Sequence, residues 1–179
     1  MMHSLANFAG FQIAWWACVL GAAHGTPWLG VVACVAFVAL QWLASSRRRA
    51  DAWLVVCAAL MGVTFDGLLA QLGWIDYRGS IGALAAPAWI VALWAAFAMT
   101  INHSLAWLRP WMAIVLGAVG GPMAYLAAER VGAVELSASV QPTAALAIGW
   151  AIATCALTLV AQRGRGGGVS RPIALDGSR

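Results

Sequence analysis

Hydrophobic residues run along the chain in long blocks separated by short polar breaks, without the strict alternation of a half-buried strand. A helix needs about 20 mostly apolar residues to cross about 30 Å of hydrocarbon. Six blocks meet that need, at about 5–23, 28–44, 52–73, 87–108, 111–128 and 142–162. His24-Gly25-Thr26-Pro27 turns the chain after the first, and Arg47, Arg48 and Arg49 lie in the break after the second. Pro87 and Pro142 open the fourth and sixth, where the missing N–H leaves no helical bond unmade. The segments 74–86 and 129–141 read as loops. The expected fold is all-α: a polytopic bundle of six transmembrane helices over 1–162, with an Arg/Gly-rich tail at 163–179 whose composition is that of disordered chain.

Composition sharpens this picture. Hydrophobic residues make up 63% of the chain and charged ones 9%, against about 25% charged in a soluble domain. The mean hydropathy of +0.85 leaves too little polar surface to cover a soluble globule. The net charge of +4 would raise nucleic acid as a partner, but all ten basic residues are Arg and none forms a basic stripe interleaved with aromatics, so no nucleic acid is expected. The placement of Arg around the apolar blocks accounts for them better. With six spans, Arg47, Arg48, Arg49, Arg109, Arg163, Arg165, Arg171 and Arg179 fall on one side, and Arg78 and Arg130 on the other. The Arg-rich side is expected to be cytoplasmic, with both termini there. Trp28, Trp42, Trp53, Trp74, Trp89, Trp107 and Trp111 lie near span ends, where amphipathic rings form interfacial belts. The first block lacks the positive n-region of a signal peptide and is expected to be retained as a helix.

Ionisable and strongly polar residues inside spans are costly and mark candidate sites. Asp66 is the clearest, roughly 10 Å below the outer surface by helical rise. The same count brings Tyr125 level with Asp66, with Glu129, Arg130 and His24 at that end. These five compose a candidate outward-facing polar cavity, while a structural carboxylate bonded to its neighbours is the alternative. Gly117 and Gly121 form a G-x-x-x-G pair followed by Pro122, expected to be a packing kink where two helices approach closely. On the cytoplasmic side, Asn7, Gln12, Asn102 and His103, with Ser104, are expected to cross-link the first and fourth helices. The four cysteines fall in four different blocks without a C-x-x-C pair. They read as small buried hydrophobes, and neither a metal nor a cofactor is expected. Catalytic templates such as H-E-x-x-H, G-x-S-x-G and the phosphate loop do not occur.

Asn7-Phe8, Trp15-Trp16, Pro87-Ala88-Trp89, Leu93-Trp94-x-x-Phe97 and His103-Ser104-Leu105 stand in the chain together with Gly120-Gly121-Pro122-x-x-Tyr125 and Gly132-Ala133. In these the chain, up to about residue 160, resembles a domain-of-unknown-function family of small bacterial inner-membrane proteins. Genes of that family often neighbour ones resembling cyclopropane-fatty-acid synthases, which implies a link to membrane-lipid modification and carries over no catalytic residue. The expected function is therefore an inner-membrane component, non-enzymatic, working beside lipid modification. A carrier or flippase for a lipid or small amphiphile is the first alternative. An intramembrane enzyme drawing on Asp66, Glu129 and His103 is the second. Membrane lipids are the expected partners, with a lipid-modifying enzyme or a second copy of the chain as further candidates.

Overall fold

The computed structural model describes residues 2–79 and 86–166. Its helices are α1 (Met2–Ala23), α2 (Pro27–Ala44), α3 (Arg48–Gln71), α4 (Ala88–Asn102), α5 (Pro110–Val131) and α6 (Gln141–Gly166). Five of them are long and apolar enough to cross a membrane, and α4 is a shorter apolar helix. Their outward faces carry residues such as Ile13, Leu40 and Ile152, each more than 60% exposed. Water would penalise such a surface and lipid would not.

Side-chain contacts fix which helix ends lie together. Asn102 reaches Asp51 at the start of α3, Gln162 reaches the Leu108 carbonyl, and Ser104 reaches Asn7. One end of the bundle thus gathers the start of α1, the α2–α3 and α4–α5 connections and the end of α6. That end holds Arg47, Arg48, Arg49, Arg109, Arg163 and Arg165. At the opposite end the connections after α3 and α5 pair with each other.

The fold is all-helical as expected, and the pairing amends only the reading of 74–86 and 129–141 as loops. Two short strands, β1 (Ile75–Tyr77) and β2 (Val134–Leu136), form an antiparallel clasp with Ile75 opposite Leu136, Asp76 opposite Glu135 and Tyr77 opposite Val134. Gly132 makes the clasp reachable. At φ +85° it ends α5 in a left-handed cap, a conformation only glycine adopts freely. Glu129 then accepts the Leu136 N–H at 3.0 Å, tying the strand back to its helix.

Three boundaries differ from the sequence reading by four residues or more. The third helix starts at Arg48, four residues early, because the Arg run continues the helix beyond the apolar block. The fourth, expected over 87–108, stops at Asn102. There Asn7 Oδ1 accepts both the Ser104 hydroxyl (2.7 Å) and the Ser104 N–H (3.3 Å), so a turn replaces the last helical bonds. Fifteen residues reach only about 22 Å, which α4 tolerates because it packs against α1, α2, α3 and α6 and buries most of its own surface. The tail expected from 163 begins as helix through Gly166, and 167–179 lie outside the described residues.

Candidate functional site

Strand geometry delivers the first partner of Asp66. Alternation along β1 sends Ile75 and Tyr77 inward and Asp76 outward. The Tyr77 hydroxyl then reaches into the bundle and donates to Asp66 Oδ1 at 2.7 Å. From α5 the Tyr125 hydroxyl donates to the same oxygen, and from α4 the Trp94 indole N–H donates to Oδ2 at 2.7 Å. Asp66 itself is fully buried. One carboxylate of α3 therefore ties together α3, β1, α4 and α5. Burial, with the Asp66 carboxylate beside it, pushes the Tyr77 hydroxyl above its ordinary pKa and keeps it a donor.

Small residues let the helices close around this knot. A side chain at Gly62 would strike Trp94, and one at Gly149 would strike Phe65. On α5 a Cβ at Gly117 would fall 2.2 Å from the Trp150 carbonyl, and one at Gly121 would fall 2.4 Å from the Trp150 indole. The glycine pair is thus the surface on which α6 lies, and Pro122 is buried beside it. Trp150 in turn stacks on Trp94, with centroids 4.3 Å apart and planes 17° from parallel, and meets Phe97 edge-on.

Beyond this seam the bundle is open. Helix α5 is held chiefly by α6 and makes little contact with α1. Between α1 and α5 lies a cavity of about 650 Å³, walled by Phe11 and Trp15 of α1, Trp94 and Phe97 of α4, and Tyr125 and Trp150. It extends from Phe8 and Leu105 near the Arg-rich end to Val19 and Val134 near the clasp. Among the described residues no charged side chain lines it. Asp66 stands one layer behind the wall and holds two of its members, Trp94 and Tyr125.

The residues singled out from sequence distribute as follows. Asp66 and Tyr125 meet directly. Glu129 is engaged by β2, Arg130 is exposed, and the His24 ring bonds the Leu20 carbonyl of its own helix at 2.9 Å, so these three do not join that contact. Asn102 and His103 both approach Asp51, at 2.7 and 3.3 Å, while Asn7 holds Ser104 and Gln12 lines the cavity. Tyr77, Trp94 and Asp51 complete the two polar clusters, and nothing local in the sequence marks them as polar partners. Tyr77 sits in a loop, Trp94 looks like one more apolar ring, and Asp51 falls in a charged break. Of the cysteines, Cys18 and Cys34 bring their sulfurs to 3.4 Å between α1 and α2, buried and not joined as a disulfide.

Neither a curated protein nor a solved structure matches the chain. The family model described as "Protein of unknown function (DUF2878)" matches residues 4–156, and the chain belongs to that family.

Proposed function

We propose that this chain is a multi-pass protein of the bacterial inner membrane that holds a lipid-like amphiphile in the lateral cavity between α1 and α5. The cavity carries the reading. It is apolar, walled by aromatic rings and placed between two membrane-spanning helices, and its volume falls in the range of about 300–1,000 Å³ typical of ligand sites. Asp66 serves it by position, fixing Trp94 and Tyr125 in the wall. Both carboxylate oxygens already accept hydrogen bonds, and Glu129 is engaged by β2, which favours holding a ligand over acid–base chemistry. A binding or carrying component beside a lipid-modifying enzyme fits this reading, with membrane lipid as the partner. The Arg excess around the gathered helix ends supports cytoplasmic termini.

Gly120 supplies the test. It lines the cavity, and a Cβ added there meets nothing within 4 Å. Gly120→Trp should place an indole in the cavity, obstructing it, and leave the bundle folded. Lipid extracted from purified protein after detergent exchange should fall from about one molecule per chain in the parent to near none in the variant. Equal lipid in both, with equal thermal stability, would contradict the proposal.

A further inference from the structure

Among the described residues, the Arg-rich end of the bundle holds a single carboxylate, Asp51. It is 1% exposed and already engaged, by the Asn102 amide at 2.7 Å and the His103 ring at 3.3 Å. It therefore neutralises none of the guanidinium groups around it. Arg48 finds neutral partners instead, donating to the Leu43 carbonyl at 2.7 Å and lying over the Trp42 ring.

Arg47 and Arg165 have no such partners. The end of α6 rests on the start of α3, where a Cβ at Gly164 would fall 3.5 Å from the Ala50 side chain. That contact brings Arg165 close enough to Arg47 for the two charges to repel. Among the described residues neither guanidinium makes an ion pair. Arg47 is exposed and Arg165 partly so, and an anion reaches the pair from the membrane surface without any rearrangement. Helix α3 adds to the imbalance. Its N-terminus is the positive end of a helix dipole and favours acids, yet Arg47, Arg48 and Arg49 occupy the N-cap and first turn, and the one acid there, Asp51, turns inward. A positive-inside bias accounts for arginines in this connection, but not for one on α6 packed against them.

The flanks decide what kind of anion fits. Leu43 and Trp53, within a few residues of Arg47, are 57% and 61% exposed, and Leu159 and Val160 of α6 also face outward. A phosphate held by the pair thus keeps apolar helix surface beside it, where acyl chains lie and a free phosphate gains nothing.

We propose that Arg47 and Arg165 bind the phosphate of an anionic phospholipid in the leaflet at the Arg-rich end, and that the lipid clamps α6 to the start of α3. The site is separate from the lateral cavity, whose walls include neither residue.

The test uses the full chain in nanodiscs of phosphatidylcholine, alone or with increasing phosphatidylglycerol, and reads the melting temperature. Phosphatidylglycerol should stabilise the parent. Arg47→Gln and Arg165→Gln should each raise the half-saturating phosphatidylglycerol fraction about fivefold, the contribution of one Arg at an anionic surface. Arg109→Gln removes the same charge elsewhere at that end and should leave the fraction unchanged. In phosphatidylcholine alone, Arg47→Gln and Arg165→Gln should melt at or above the parent, because each removes a repulsion. Equal losses in all three variants would overturn the proposal and leave only a diffuse surface charge. Arg47→Gln and Arg165→Gln that melt lower by the same amount with and without phosphatidylglycerol would also overturn it, as would inorganic phosphate stabilising the parent as well as the lipid does. A phosphatidylglycerol effect abolished by Gly120→Trp but kept in both Arg variants would place the lipid in the lateral cavity, overturning this site and not the cavity reading.

Discussion

Gly120 and Gly121 are neighbours in α5 with opposite surroundings. A side chain added at Gly121 would collide with the Trp150 indole at 2.4 Å, whereas one added at Gly120 meets only the open cavity. The seam that closes the bundle and the space it leaves open are thus set one residue apart. Gly121→Leu should lower the melting temperature in detergent by forcing α5 off α6, a destabilisation of about 1–3 kcal/mol. Gly120→Leu should melt within a degree or two of the parent, or higher, because leucine is the better helix former by roughly 1 kcal/mol. Differential scanning fluorimetry of the pair checks this, and equal melting of the two variants would mean the seam is misplaced.

Asp66→Asn should fold but lose stability. The amide keeps one acceptor and replaces the other with a donor, so either the Trp94 N–H or the phenols of Tyr77 and Tyr125 face an N–H₂. A loss of about 1–3 kcal/mol is expected. Adding Trp94→Phe removes the opposed donor, so the double variant should be more stable than the sum of the single losses predicts. Strict additivity would mean that Trp94 does not hold the carboxylate.

How far the sequence alone reaches depends on whether a feature is local. Span existence follows from block hydropathy, and depth along a helix follows from a fixed rise, which is why Tyr125 counts level with Asp66. Tyr77 is different. Its reach depends on β1 pairing with β2, a contact between segments about 60 residues apart that leaves no periodic trace in three-residue strands. The early end of α4 is similarly hidden. Its apolar block continues to Leu108, and the stop is imposed by Asn7 from another helix. Trp94 is legible as a ring, but its N–H finds a partner only in the folded bundle.

The gathering of six Arg residues at one bundle end predicts sidedness. Reporter fusions after Arg49 and after Arg78 should fall on opposite faces of the membrane, with Arg49 inside. Both on one face would break the six-span reading.

Ser104 holds the turn that ends α4. Ser104→Ala should remove the 2.7 Å bond to Asn7 and leave Asn7 Oδ1 only the longer 3.3 Å bond from the residue-104 N–H, on a side chain whose Nδ2 already has no partner. A loss of about 1 kcal/mol is expected. Faster amide exchange confined to residues 100–108 should accompany it, measured by hydrogen–deuterium exchange. Unchanged exchange there would show that the turn forms without this bond.

Lipid entering between α1 and α5 is mapped most directly by photocrosslinking. Cells fed a diazirine-bearing fatty acid and irradiated should give adducts on cavity residues such as Phe11, Trp15 and Phe97. These adducts should disappear in Gly120→Trp, while adducts on the outward Ile13 and Leu40 persist unchanged. Adducts spread evenly over all lipid-facing residues, with the Gly120→Trp pattern the same as the parent's, would contradict the account.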